Sequence, residues 1–173
     1  MTRNTSPSFV LALYPTSHGF AFVLFEGPDA PFDWGVKEVR EKRKNPKVLD
    51  DVKALIELYH PEVLVMEDTD KGKIRRAARI RRLYRMLRHL ASTEEIDVHR
   101  FARADIRACF ASVGAVTKYE IAKAIATQIP AFAHRLPRVR KLWMSEDPRQ
   151  GLFDAAALGL TYYATKNANE TVT

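Results

Sequence analysis

The chain has 173 residues, of which 46% are hydrophobic and 28% charged, as in an ordinary globular protein. This length fits one domain and leaves too little chain for two. The single cysteine, Cys109, excludes an intrachain disulfide and a cysteine-based zinc site. The chain has 28 Lys and Arg residues and 21 Asp and Glu residues, which gives a net charge of +7. This charge favours a polyanionic partner such as nucleic acid.

The sequence predicts neither a signal peptide nor a run of the roughly 20 apolar residues that a membrane span requires. We therefore expect a cytoplasmic protein without a membrane partner. A single domain is predicted over residues 9–166, with flexible ends at residues 1–8 and 167–173.

Short apolar runs bounded by turn residues predict strands at residues 9–14, 20–25 and 34–39, which would form an antiparallel meander. A helix at 47–59, a strand at 61–68, a basic helix at 73–90 and a strand at 96–101 follow. A short helix at 105–110, a capping box at Thr117 and Glu120, an irregular stretch at 130–149 and a last helix at 152–166 complete the chain. This order predicts an α/β fold with a mixed five-stranded sheet, an antiparallel meander plus parallel strands, flanked by helices.

Polar residues fall at three places where such a sheet usually carries its site. Tyr14 ends the first strand, Glu67 and Asp68 end the fourth, and Glu146, Asp147 and Asp154 precede or begin the last helix. Converging carboxylates would suit Mg²⁺ or Mn²⁺, and two such ions can stabilise both oxygens of a phosphodiester exchange. Each residue also has a structural explanation: Glu67 and Asp68 as solvated strand-end charges, Asp154 as a partner of the helix dipole.

The predicted helix at 73–90 carries charge of one sign on one face. Arg75, Arg79, Arg82 and Arg85 step round this face, opposite an apolar face. Like charges at four-residue spacing repel, so a phosphate backbone outside the helix explains them better than solvent does. A membrane surface or an acidic protein is the alternative.

A second basic cluster, Arg135, Arg138, Arg140 and Lys141, precedes Trp143. This tryptophan is either a platform for a stacked base or, as is commoner, a packing residue.

Five segments resemble, in the right order, the RuvC-type Holliday junction resolvases of the ribonuclease H-like superfamily. They lie at residues 11–16, Gly19, 64–67, 112–118 and 154–158, and the resemblance as a whole runs from about Phe9 to Tyr163. It implies a ribonuclease H-like fold, dimers, and a divalent-metal nuclease for branched DNA. Glu67 and Asp154 would be metal ligands, and Lys118 would lie near the scissile phosphate.

The chain departs from the family pattern at two acidic positions. Tyr14 stands where the family's first strand ends in aspartate, and Gly151 stands where a second carboxylate precedes Asp154. Asp147 or Glu146 would have to substitute from the preceding loop, and losing a bridging ligand can cost on the order of 10³ in rate.

Three hypotheses follow from these patterns. The first is a RuvC-like protein that binds branched or single-stranded DNA, with weak, altered or lost nuclease activity. The second is an active endonuclease that uses Glu67, Asp154 and Asp147 with Mg²⁺ or Mn²⁺, assisted by Lys118. The third is a non-enzymatic domain whose arginine face holds an acidic protein.

Overall fold

The computed structural model describes residues 8–71, 76–141 and 143–172. Its strands are β1 (Val10–Pro15), β2 (Gly19–Gly27), β3 (Ala30–Glu38), β4 (Val63–Glu67) and β5 (Asp97–Phe101). Its α-helices are α1 (Lys44–Tyr59), α2 (Ala78–Thr93), α3 (Arg103–Phe110), α4 (Lys118–Gln128) and α5 (Gln150–Thr171). Short 3₁₀ turns cover Ala111–Val113 and Pro130–Arg135.

The strands form one sheet in the order β3-β2-β1-β4-β5. β1, β2 and β3 pair antiparallel, whereas β4 runs parallel to β1 and β5 parallel to β4. The predicted mixed five-stranded sheet is therefore confirmed. Ala12 pairs with Val65, so Tyr14 and Glu67, each two residues further on, end neighbouring strands at one edge of the sheet.

Two hydrophobic clusters cover the two faces of the sheet. Leu11 and Leu13 of β1 point into a cluster with α1 and α2, while Val10 and Ala12 point into a cluster with α5. Successive side chains of a strand alternate between faces, and β1 is apolar at all four of these positions because both of its faces are covered. β1 is thus fixed between two packed layers, which holds Tyr14 at a defined position.

Gly19 lets the meander close beside this edge. A Cβ atom at Gly19 would lie 1.9 Å from the carbonyl oxygen of Lys37 in β3, well inside van der Waals contact. Only glycine allows the two strands to approach this closely.

Several predicted boundaries differ from those observed. β3 begins at Ala30 rather than residue 34, because a turn at Pro28 and Asp29 lets Gly27 pair directly with Ala30. α1 begins at Lys44 rather than residue 47, since Pro46 lies in the first helical turn, where its missing N–H costs little. α5 continues to Thr171 instead of ending at residue 166.

The basic helix also differs from its prediction at its start. Of the predicted 73–90, residues 73–75 lie outside the described residues, Ala77 is extended, and α2 begins at Ala78 and continues to Thr93. The capping box of α4 is confirmed: the Thr117 hydroxyl accepts from the Glu120 amide at 3.2 Å and the Glu120 carboxylate from the Thr117 amide at 3.0 Å. No helix within the described residues has the length and apolarity to cross a membrane.

Candidate functional site

The side chain of Tyr14 occupies the point where β1 and β4 end. Its hydroxyl accepts a hydrogen bond of 2.7 Å from Nη1 of Arg76, whose guanidinium carbon lies 4.9 Å from the ring centroid. Nη2 of Arg76 donates to the carbonyl of Pro15 at 2.5 Å. Two hydrogen bonds and a cation–π contact therefore hold Arg76 against the end of β1.

Arg76 also neutralises Glu67. The Oε2 atom of Glu67 lies 3.7 Å from Nη1 of Arg76 and accepts a hydrogen bond of 3.0 Å from the hydroxyl of Tyr84 in α2. Both side chains of the ion pair are about four-fifths buried, with 19% and 20% of their surface exposed. An arginine of the protein thus supplies the positive charge beside this carboxylate.

Lys118 plays the corresponding part on the other side of Tyr14. Its ammonium group lies 3.4 Å from Oδ2 of Asp154, 2.9 Å from Oε1 of Glu146 and 5.6 Å from the Tyr14 ring centroid. Asp154 accepts a further hydrogen bond of 3.2 Å from the amide of Gln150, one turn earlier in α5. Tyr14 is therefore flanked by two cations, each paired with a carboxylate. We call this group of five residues the charge lattice: Tyr14, Glu67, Arg76, Lys118 and Asp154.

The pKa shifts in the charge lattice follow from burial and from these pairs. Burial raises the pKa of Asp154 above its ordinary 3.8, although Lys118 and Gln150 partly oppose this effect. Burial alone would lower the pKa of Lys118, but Asp154 and Glu146 outweigh it and raise that pKa. Burial also raises the pKa of Tyr14 above 10.0, so its phenol is neutral at neutral pH.

The donor set does not fit a divalent metal ion. Within the described residues, no group of three His, Cys, Asp or Glu side chains is placed to hold one. Glu67, Tyr14, Lys118 and Asp154 line a small cavity of about 30 Å³. Arg76 and Lys118 occupy the carboxylates that such an ion would need.

Gly151 is crowded where the family pattern has a carboxylate. A Cβ atom there would lie 3.1 Å from Cγ2 of Thr16 and 3.3 Å from Cβ of Ala21. An aspartate at this position would require its neighbours to move. Tyr14 and Gly151, the two departures from the family pattern, line the same cleft as Asp154.

Comparison with solved structures identifies the architecture. A structure of RuvC from Thermus thermophilus superposes with a TM-score of 0.66 at 16% identity, covering 92% of this chain and 96% of that one. A structure of T. thermophilus RuvC in complex with a Holliday junction substrate gives a TM-score of 0.63 at 15% identity, covering 91% of this chain and 96% of that one. The yeast mitochondrial Holliday junction resolvase Ydc2 gives 0.62 at 15% identity, covering 92% and 80%.

The chain has the RuvC fold. At the level of sequence it matches neither a protein-family model nor a curated protein. The similarity to RuvC is therefore a similarity of fold. Within this fold, the charge lattice lies where β1 and β4 end.

The loop before α5 gives its two carboxylates different partners. Asp147, predicted as a metal ligand, is held by the guanidinium of Arg149 at 2.7 and 3.0 Å and by its backbone N–H at 2.9 Å, which lowers the pKa of Asp147. Glu146, not Asp147, is the residue that contacts Lys118. Asp147 instead lines an open cleft of about 630 Å³ that also reaches Tyr14, Arg76 and Asp154.

The predicted arginine face divides into internal and exposed residues. Arg82 and Arg85 are exposed on α2, opposite its buried side, and Arg75 lies outside the described residues. Arg79 is half-buried and donates to Oδ1 of Asn45 at 3.0 Å and to the carbonyl of Thr16 at 3.1 Å. Arg79 therefore ties α2 to α1 and to the β1–β2 turn, so its guanidinium is already engaged.

Sequence analysis missed two members of the site. Arg76 and Tyr84 both lie in the predicted helix at 73–90, and neither was selected as a site residue. The helical period gave no signal for Arg76, because this residue precedes α2 and its bonds to Tyr14 and Pro15 span more than 60 residues.

We expect Arg79→Ala to lower the free energy of unfolding by about 1–2 kcal/mol, because it breaks charged hydrogen bonds to partly buried acceptors. The exposed neighbour Arg82→Ala is the matched control and should change stability by less than about 0.5 kcal/mol. Urea unfolding of the two variants beside the wild type measures both values. Equal effects would contradict the internal role of Arg79.

Proposed function

We propose that this protein binds nucleic acid through its RuvC fold and has lost metal-dependent cleavage. The observation that carries the proposal is the charge lattice: Arg76 and Lys118 neutralise Glu67 and Asp154 around Tyr14. Carboxylates that are paired with protein cations need no metal to be stable in the folded state. These ion pairs would stabilise the ends of β1 and β4 without a metal ion, so the fold could persist without metal-dependent cleavage.

Nucleic acid is the partner that the charge distribution favours. Arg81, Arg82 and Arg85 lie exposed on α2, and Arg138, Arg140 and Lys141 are exposed on the segment before α5. These residues contribute to a net charge of +7. Each phosphate contact by such a residue releases a condensed counterion, which drives binding at moderate salt.

Branched or single-stranded DNA is the form we propose. The fold neighbours are Holliday junction resolvases, and one was solved with a Holliday junction substrate. The family resemblance extends the proposal to a homodimer, and the stoichiometry of a junction titration would report it.

The test is binding and cleavage of labelled four-way-junction, single-stranded and duplex DNA in Mg²⁺, in Mn²⁺ and in EDTA. We expect binding in EDTA as well as in either metal, and no cleavage above that of Glu67→Gln and Asp154→Asn. Cleavage that both variants lose would show an active endonuclease and overturn the loss of activity. Absence of any salt-sensitive binding would remove nucleic acid as the partner and leave the acidic-protein hypothesis.

We expect the double variant Arg82→Glu/Arg85→Glu to weaken binding of all DNA sequences alike. If both arginines contact phosphates, the slope of log affinity against log salt should become shallower by roughly two. Lys166→Glu is a control, because this exposed residue lies 12 positions beyond Asp154 in α5, about 18 Å along the helix. Equal losses in the two variants would mean that α2 has no special part in binding.

A further inference from the structure

Trp143 is the most exposed aromatic side chain described in the chain, with 79% of its surface accessible. The second tryptophan, Trp34, packs edge-on against Phe132 with 5.1 Å between ring centroids, as a structural tryptophan does. The packing explanation offered by sequence patterns therefore fails for Trp143. Exposure of a large apolar ring to water is unfavourable, and a binding surface that covers the ring would explain it.

The turn that carries Trp143 is held in place. The amide of Met144 donates to the carbonyl of Lys141 at 3.0 Å. Nε of Arg140 also donates to the carbonyl of Met144, at 2.7 Å. An indole next to a hydrogen-bonded backbone loses less conformational entropy on binding than one on a loop without such bonds.

Lys141 places a positive charge beside the indole. Nζ of Lys141 lies 5.7 Å from the Trp143 ring centroid, and Arg138 and Arg140 are exposed on the same segment. Arg138, Arg140 and Met144 also line a surface cavity of about 170 Å³ that extends to Lys118 of the charge lattice and includes the carboxylates of Glu146 and Asp147. The segment therefore links an aromatic face to cations beside the proposed DNA-binding site.

We propose that Trp143 stacks on an unpaired nucleic-acid base while Lys141, Arg138 and Arg140 hold the flanking phosphates. This inference rests on the proposed function and deepens it, because it names an unpaired strand as the preferred ligand. A base in a duplex has both faces covered by its neighbours, so only an unpaired base offers a face to the indole. An acidic protein could match the cations, but its carboxylates provide no ring to stack on Trp143.

Fluorescence gives a direct test, because the chain has two tryptophans. In the Trp34→Phe variant Trp143 is the only one, and the new phenylalanine keeps an aromatic ring against Phe132. We expect single-stranded oligothymidine to quench the emission of this variant strongly, and a duplex of the same length to quench it weakly.

Affinity measured on labelled DNA in the otherwise unchanged chain provides the second readout. We expect Trp143→Ala to weaken binding of single strands about 5- to 150-fold, the range for loss of one stacked base, and to change duplex binding little. Trp143→Phe should keep most of the single-strand affinity because it keeps a ring.

Three results would overturn the inference. Tight single-strand binding with unchanged Trp143 emission and no effect of Trp143→Ala would place the contact elsewhere and leave the proposed function standing. Quenching by polyglutamate as strong as that by oligothymidine would identify an acidic chain as the partner. Absence of any DNA binding would contradict both the inference and the proposed function.

Discussion

Replacing Tyr14 with aspartate is expected to give this protein an affinity for divalent cations that the wild type lacks. In this variant, the carboxylates of Asp154, Glu67 and the introduced aspartate would surround the space that the phenol ring now fills. Arg76 and Lys118 would still compete for these oxygens, so we expect weak binding of Mn²⁺, with a dissociation constant on the order of 10⁻⁴–10⁻³ M. Isothermal titration with MnCl₂ measures the affinity directly.

Two further variants separate the effect of charge from that of space. Tyr14→Asn opens nearly the same volume without the carboxylate, and Tyr14→Phe keeps the ring but loses the hydrogen bond from Arg76. Neither should bind Mn²⁺, and only the aspartate variant should gain thermal stability when Mn²⁺ is added. Wild-type protein that binds Mn²⁺ as tightly as the aspartate variant would show that the charge lattice does not exclude the metal.

The architecture could be predicted from sequence because its signals are local. Short apolar runs between turn residues marked the strands of the meander, and Thr117 and Glu120 marked the start of α4 three residues apart. The end of α5 gave no comparable signal. Its buried positions stop at Tyr163, whereas the helix continues through exposed residues to Thr171, so the apolar pattern ended before the helix did.

The charge lattice could be predicted only in part, because its bonds are long-range. Sequence analysis selected Tyr14, Glu67, Lys118 and Asp154 as site residues, and the structure brings these four around one small cavity. The hydrogen bond between Arg76 and Tyr14 joins residues 62 positions apart, so no local pattern indicated Arg76 as the partner of Glu67. The lysine was expected near a scissile phosphate, and the structure pairs it with Asp154.

Lys118 is the residue whose loss should destabilise the fold most within this site. In Lys118→Met the buried Asp154 keeps the Gln150 amide but loses its ion pair, so we expect the free energy of unfolding at pH 7 to fall. Breaking a fully buried pair costs about 3–5 kcal/mol, but the side chain of Lys118 is 32% exposed. Solvent screening reduces the expected loss to about 1–3 kcal/mol.

The pH dependence identifies Asp154 as the cause of that loss. Burial already raises the folded-state pKa of Asp154 above its ordinary 3.8, and removing Lys118, which lowers this pKa, should raise it further. A raised folded pKa means that the folded state takes up a proton more readily than the unfolded state, so protonation removes the penalty. The stability difference between wild type and variant should therefore be largest at neutral pH and shrink as the pH falls toward 4.

The double variant Lys118→Met/Asp154→Asn completes the test, because it removes both charges while nearly keeping their shapes. We expect it to recover most of the lost stability at pH 7, since a neutral buried pair carries no uncompensated charge. Comparing Asp154→Asn with the double variant should leave a stability difference nearly independent of pH between 4 and 7. Urea unfolding across this range measures all four proteins. A Lys118→Met penalty that persists unchanged in the Asp154→Asn background would mean that lysine packing, or its contact with Glu146, stabilises the fold instead of the buried pair.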